Sequence, residues 1–177
     1  LFDFTSSWGD PFSLTDGGSE DSGPLLPSSE AGTYSVAEAA VAGWSSSAVC
    51  DDGSEPSAID LGPGETVTCT FTNTIDRGNI VVVKQTDTDG SSQSFDFTPS
   101  WGADFSLTDP QSNDSGPLRP PSEAGSYSVS ETVPDGWSGS AVCDDGSPVD
   151  AIDLGPGETV TCTFTNTIDR GNIVVVK

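Results

Sequence analysis

The 177 residues contain no histidine and no methionine, and only five basic side chains: Arg77, Lys84, Arg119, Arg170 and Lys177. Without imidazole there is no Ser–His or Cys–His nucleophile pair and no common general base, so no turnover enzyme is expected. The same absence removes a principal zinc ligand, and no CxxC spacing begins a tetrahedral site, so no resident cofactor or metal is expected. Five cations against 28 carboxylates leave a net charge of −23. Nothing here can neutralise a phosphate backbone, which excludes nucleic acid as a partner. Such acidity reads as a solvated exterior suited to salt or divalent cations outside the cell. No apolar run is long enough to cross a bilayer, so membrane insertion is not expected. Leu1 starts in mid-domain without signal-peptide character, as in a mature or excised piece of something longer.

What the chain does have is a repeat. Shifted by 93 residues, 1–84 align with 94–177 without a gap, and 65 of the 84 pairs are identical. A period of that size is a small domain, too long for a solenoid unit that cannot fold alone. Turn residues are plentiful, and short runs of Val, Thr, Phe and Tyr lie between them, which predicts an all-β chain of two tandem Greek-key, Ig-like sandwiches. In the complete copy strands are predicted near 78–84, 94–98, 104–108, 125–132, 138–143, 151–154 and 159–167, joined by turn-rich segments such as 109–121. The heptapeptide GNIVVVK stands at 78–84 and again at 171–177, but none precedes the first copy. The domains are therefore read as 1–77, a sandwich short of its first strand; 78–170, a complete one; and 171–177, the first strand of a further domain.

Four cysteines fall as one pair per repeat, Cys50 with Cys69 and Cys143 with Cys162, each pair at the same interval. One disulfide inside each domain is the simplest pairing, and it points to an oxidising, extracellular compartment. Strand alternation gives a second clue. Val67, Cys69, Phe71 and Asn73 share one face, as do Tyr34, Val36 and Glu38, and their counterparts Tyr127, Val129 and Glu131. The strand 80–84 is apolar on both faces up to its end, which leaves its phase open, with Lys84 on the face of Ile80 and Val82. A lysine, a glutamate and an asparagine directed into a core are costly to bury separately. Burial favours the neutral form of each ionisable group, so Lys84 is expected to act as a neutral amine attacking the side-chain carbon of Asn166. Glu131 then hydrogen-bonds the amide oxygen and carries protons as ammonia leaves.

The run IVVVK at 80–84 followed by DTDG at 87–90, then GSYSVSETVPDGW at 125–137 and TCTFTNT at 161–167, resembles the B-type domains of collagen-binding adhesins. These are also called Cna-B, SpaA-like or prealbumin-like domains. The resemblance covers essentially the whole of each repeat. It implies a prealbumin-like sandwich, a place in stalks or pilus backbones on a prokaryotic cell surface, and a self-formed Lys–Asn isopeptide bond assisted by Glu. By position the bond falls to Lys84, Glu131 and Asn166 in the second domain. The first domain supplies Glu38 and Asn73 but no lysine. Strand 171–177 is accordingly expected to enter the first domain of a neighbouring chain or of the next repeat, bringing Lys177 to Glu38 and Asn73 and building a head-to-tail filament or array. The alternative is an adhesin module that binds a glycan or a host protein through its end loops, with Trp8, Trp44, Trp101 and Trp137 as candidate stacking surfaces. Asp87 and Asp89 begin a calcium-loop pattern, but Thr98 stands where a bidentate Glu is needed, so Asp-Gly turns are the expected reading and calcium the alternative.

Overall fold

The computed structural model describes residues 1–88 and 90–177, and the chain divides into two compact units, 1–75 and 76–177. Unit 1 contains β1 (Phe2–Ser6), β2 (Phe12–Leu14), the helical turn α1 (Ser28–Ala31), β3 (Val36–Glu38), β4 (Trp44–Cys50) and β5 (Cys69–Ile75). Unit 2 contains β6 (Asn79–Thr86), β7 (Phe95–Pro99), β8 (Phe105–Leu107), β9 (Ser112–Asp114), the turn α2 (Pro121–Ala124), β10 (Val129–Thr132), β11 (Trp137–Cys143) and β12 (Thr159–Ile168). The fold is all-β apart from the two four-residue turns, because β-branched and aromatic residues favour a pleated, half-buried surface and the Gly, Pro and Asp between them end each run early.

Unit 2 is a two-layer sandwich, with sheet β10-β7-β8 in one layer and β11-β12-β6-β9 in the other. Strand β6 lies inside its sheet, parallel to β12 from Asn79↔Thr159 to Thr86↔Asn166 and antiparallel to β9 on its other side. Gly78 at its start is required by close approach, since a Cβ there would stand 2.7 Å from the carbonyl oxygen of Glu158. Alternation carries Ile80, Val82 and Lys84 into the interior, where they join Phe95, Phe97, Val129, Val160 and Phe164.

Two expected features differ. The strand predicted at 151–154 is only an isolated bridge between Ile152 and Tyr127, and β9 arises within the segment read as turns. Ser112–Asp114 has neither alternation nor strand-forming residues; the free edge of β6 recruits it.

Among the described residues, unit 1 has no counterpart of β6 or β9, and the consequences are local. In unit 2, the β11–β12 ladder runs only as far as the pair Cys143↔Cys162, and Thr159–Thr161 are paired as strand with β6, Thr161 being bonded also to Asp144. Their counterparts Thr66–Thr68 are not in a strand, and β5 starts at Cys69. The core shrinks with it. Only Phe4, Val36, Cys50 and Ile59 are buried apolar residues, while Phe2, Val67 and Phe71 are partly exposed, unlike Phe95, Val160 and Phe164. What remains is a groove of about 1410 Å³ lined by Phe4, Phe12, Val36, Glu38, Phe71 and Asn73, among others.

The second copy of the heptapeptide, 171–177, has no regular structure. Ile173 is 93% and Val175 90% exposed, where Ile80 and Val82 of the identical sequence are 0%. Burying each such side chain stabilises by about 1.5–3 kcal/mol.

In unit 2, Asn166 accepts a backbone hydrogen bond from Asp87 and Glu158 accepts one from Asn79, so alternate residues of β12 direct their backbone groups at the parallel neighbour. Hydrogen-exchange mass spectrometry should find the amides of Val67, Cys69, Phe71 and Asn73 exchanging rapidly. Those of Val160, Cys162, Phe164 and Asn166 should be protected; equal protection of the two sets contradicts the unpaired edge.

Candidate functional site

Three residues from both layers of unit 2 meet in its interior. Lys84 and Asn166 lie on the adjacent parallel strands β6 and β12, on the same face, two steps apart in register because Phe164 pairs with Lys84 and Asn166 with Thr86. Glu131 comes from β10 in the facing sheet, paired with Phe97. Lys84 and Asn166 are fully buried, and the Glu131 side chain is 4% exposed.

The Lys84 amine donates to Asn166 Oδ1 at 2.5 Å and to the Gln85 carbonyl at 2.6 Å. It stands 3.6 Å from Glu131 Oε1 and 4.0 Å from the centre of the Phe95 ring. The ring closes one side against water. Burial lowers the lysine pKa from 10.5, opposed by the adjacent Glu131. Burial likewise raises that of Glu131 from 4.5, with the Asn166 amide and the Lys84 amine pulling the other way. Both shifts favour an uncharged amine beside an uncharged acid, the state an apolar interior demands.

The sequence reading had Glu131 bonded to the amide oxygen of Asn166; in the structure that oxygen faces the amine instead. The amide nitrogen Nδ2 of Asn166 and Oε1 of Glu131 are buried with no hydrogen-bond partner, a condition that costs free energy for as long as both atoms stay there.

Unit 1 assembles the counterparts without a lysine. Asn73 on β5 donates Nδ2 to Glu38 Oε1 at 2.7 Å, and Ser46 on β4 donates its hydroxyl to Glu38 Oε2 at 2.5 Å. Sequence reasoning had overlooked Ser46. It is one of three successive serines in β4 and corresponds to Gly139, so a comparison of the two repeats at the positions facing Asn73 and Asn166 would have singled it out. Lys177 is exposed at the end of the chain.

The disulfides are Cys50–Cys69 and Cys143–Cys162. Each joins directly opposed residues of neighbouring strands, so it fixes register within one sheet and does not bridge the layers. Asp87 is engaged by the backbone of Ile168 and by Arg170; Asp89 lies outside the described residues. Among the described residues no group of three or more acidic or cysteine side chains could hold a metal ion. The four tryptophans each make an edge contact within their own unit, with Tyr34, Phe2, Tyr127 and Phe95.

A family profile described as a prealbumin-like fold domain of the SpaA group matches residues 80–168, and a second profile of that description matches residues 3–71. Among solved structures, the T-13 major pilin protein of Streptococcus pyogenes is similar at 16% identity and a TM-score of 0.47, over 77% of this chain and 66% of that one. Another crystal structure of the major pilin from Streptococcus pyogenes is similar at 14% identity and a TM-score of 0.39, over 77% of this chain and 69% of that one. The chain thus spans slightly less than two thirds of the first pilin's length. No match was found among curated protein sequences.

The two shifted groups give the stability of unit 2 a definite pH dependence in an Asn166→Ala chain, which keeps the amine and the acid but not the amide. From pH 4.5 up to the raised value of Glu131 the folded state holds the extra proton, so stability falls as pH rises. From the lowered value of Lys84 up to 10.5 the unfolded state holds it, so stability rises with pH. Denaturant titrations across pH should show both slopes, and further replacement by Lys84→Met with Glu131→Gln should flatten them.

Proposed function

The chain belongs to the SpaA-type prealbumin-like fold domains, and from that premise we propose that it is a structural subunit of an extracellular filament or cell-surface stalk. Subunits join head to tail and are braced by self-formed Lys–Asn isopeptide bonds. The observation that carries this reading is the buried contact of the Lys84 amine with the Asn166 amide beside Glu131.

Bond formation accounts for every strained element of that contact. The neutral Lys84 nitrogen adds to the side-chain carbonyl carbon of Asn166, and Glu131, entering as the neutral acid, gives its proton to the departing nitrogen and takes one back from the amine. The bond from that carbon to Nδ2 breaks, ammonia leaves, and an amide joins β6 to β12. Nδ2, the buried atom without a partner, is the one expelled. No ionisable amine is left in the core.

The same chemistry, divided between two molecules, links subunits. Residues 171–177 of one copy enter the groove of unit 1 in another, in the place β6 has beside β12. Ile173 and Val175 are buried there, the unpaired backbone of β5 gains a partner, and Lys177 is delivered to Asn73 and Glu38. The contact uses different surfaces on donor and acceptor, so repetition extends a line and does not close a dimer. The disulfides hold β4 to β5 and β11 to β12 in an oxidising environment.

Intact mass spectrometry should find each monomer lighter by one ammonia, and a peptide joining Lys84 to Asn166. Concentrated protein should give a ladder that survives boiling in detergent and reductant, with Lys177 joined to Asn73. Lys177→Arg should abolish the ladder and leave the bond in unit 2. Glu131→Ala should slow that bond by roughly 10²–10⁴-fold, the usual contribution of a positioned acid–base group. An unmodified mass rejects the isopeptide assignment, and a chain that stays monomeric at every concentration rejects the head-to-tail contact.

A further inference from the structure

The two repeats differ at the position paired across the ladder from each site asparagine. Ser46 is paired directly across from Asn73 in the β4–β5 ladder, and Gly139 directly across from Asn166 in β11–β12. A Cβ at Gly139 would stand 3.0 Å from Asn166 Nδ2, 3.0 Å from Val133 Cγ2 and 3.3 Å from Glu131 Oε2. A side chain in that corner of unit 2 would require Asn166, Val133 and Glu131 to give by a few tenths of an ångström. In unit 1 the counterpart of Val133 is Ala40, two methyl groups smaller, and the counterpart of Gly139 is Ser46. The exchange is therefore paired: one residue shrinks where its neighbour grows.

The consequence is seen at the acid. Both carboxyl oxygens of Glu38 are engaged, Oε1 by Asn73 Nδ2 at 2.7 Å and Oε2 by Ser46 Oγ at 2.5 Å, whereas Glu131 Oε1 has no hydrogen-bond partner. In unit 2 the acid is positioned by the strands that enclose it, including β6. In unit 1 the groove is open, and the Glu38 carboxyl is held on both oxygens by these hydrogen bonds.

We infer that Ser46 is a positioning residue of a lysine-acceptor site in unit 1, fixing Glu38, and through it the Asn73 amide, in readiness for an amine that arrives on a separate strand. The inference rests on reading unit 1 as the acceptor of a foreign lysine. Ser46 does not touch the reacting atoms; it acts through Glu38. Its effect belongs on the rate of bond formation after the strand has docked, and not on docking, which depends on apolar burial and backbone pairing remote from the hydroxyl.

The test uses the full chain with Lys177→Arg, so that the sole donor is an N-acetylated synthetic peptide with the sequence of residues 78–86. Peptide affinity and the rate of covalent attachment are read separately, by fluorescence titration with a labelled peptide and by intact mass against time. Ser46→Ala and Ser46→Gly should each attach the peptide roughly tenfold more slowly, the scale of one hydrogen bond to a carboxyl group, at unchanged affinity. Ser46→Thr, which keeps the hydroxyl, should restore most of the rate. If both hydroxyl-free variants react at the parent rate, or lose affinity instead of rate, Ser46 has no positioning role while the acceptor reading stands. A parent protein that binds the peptide but never loses ammonia overturns the acceptor reading and this inference with it.

Discussion

An amine in an apolar interior is the constraint around which unit 2 is arranged. Strand alternation that buries Ile80 and Val82 also buries Lys84, and an isolated ammonium there costs several kcal/mol. The fold answers with groups from two directions: the Asn166 amide on the adjoining strand and the Glu131 carboxyl from the opposite layer. The three residues therefore fix more than chemistry. They specify which face of β6 is inward, its parallel register with β12, and the depth at which β10 lies over both, since a one-residue slip in any of these strands would remove one member from the cluster.

The two repeats serve as controls for each other. With 65 of 84 positions identical, most of the differences between the units trace to one strand and not to composition. Where β6 is present, Val160, Phe164 and Phe95 are enclosed; where it is not, Val67, Phe71 and Phe2 are partly open. Thr159–Thr161 are strand and Thr66–Thr68 are not, although the sequences are the same. Local propensity is equal in the two cases, so the ladder at these positions is a property of the neighbour.

Much of this was legible in the residues. The period exposed two domains, turn residues separated the strands, and alternation put Glu131 and Asn166 on inward faces, where the structure has them, while the strand of Lys84, apolar on both faces, left its inward side to be decided by packing. The shortfalls have physical causes. Strand β9 carries no pattern of its own and exists because β6 has an edge to fill, and the segment around Ile152 is apolar enough to suggest a strand but makes only one bridge. Side-chain orientation is a further limit. Alternation reports which face a residue occupies and not which atom of its amide points where, so the turn of the Asn166 oxygen toward the amine had no sequence signal. Ser46 was hidden among neighbouring serines, its meaning carried by Ala40 six residues earlier in the chain.

The parallel pairing of β6 with β12 decides how unit 2 responds to being pulled. The chain enters along β6 and leaves along β12, the two strands run side by side in the same direction, and a force on the ends drags them past each other lengthwise. Their hydrogen bonds share that load simultaneously, whereas a hairpin peeled from its tip breaks rung by rung. An amide between Lys84 and Asn166 would shorten the route further. Tension would then pass from β6 straight to the last residues of β12, and the loops and layers between them would become passengers on a cord they do not have to hold.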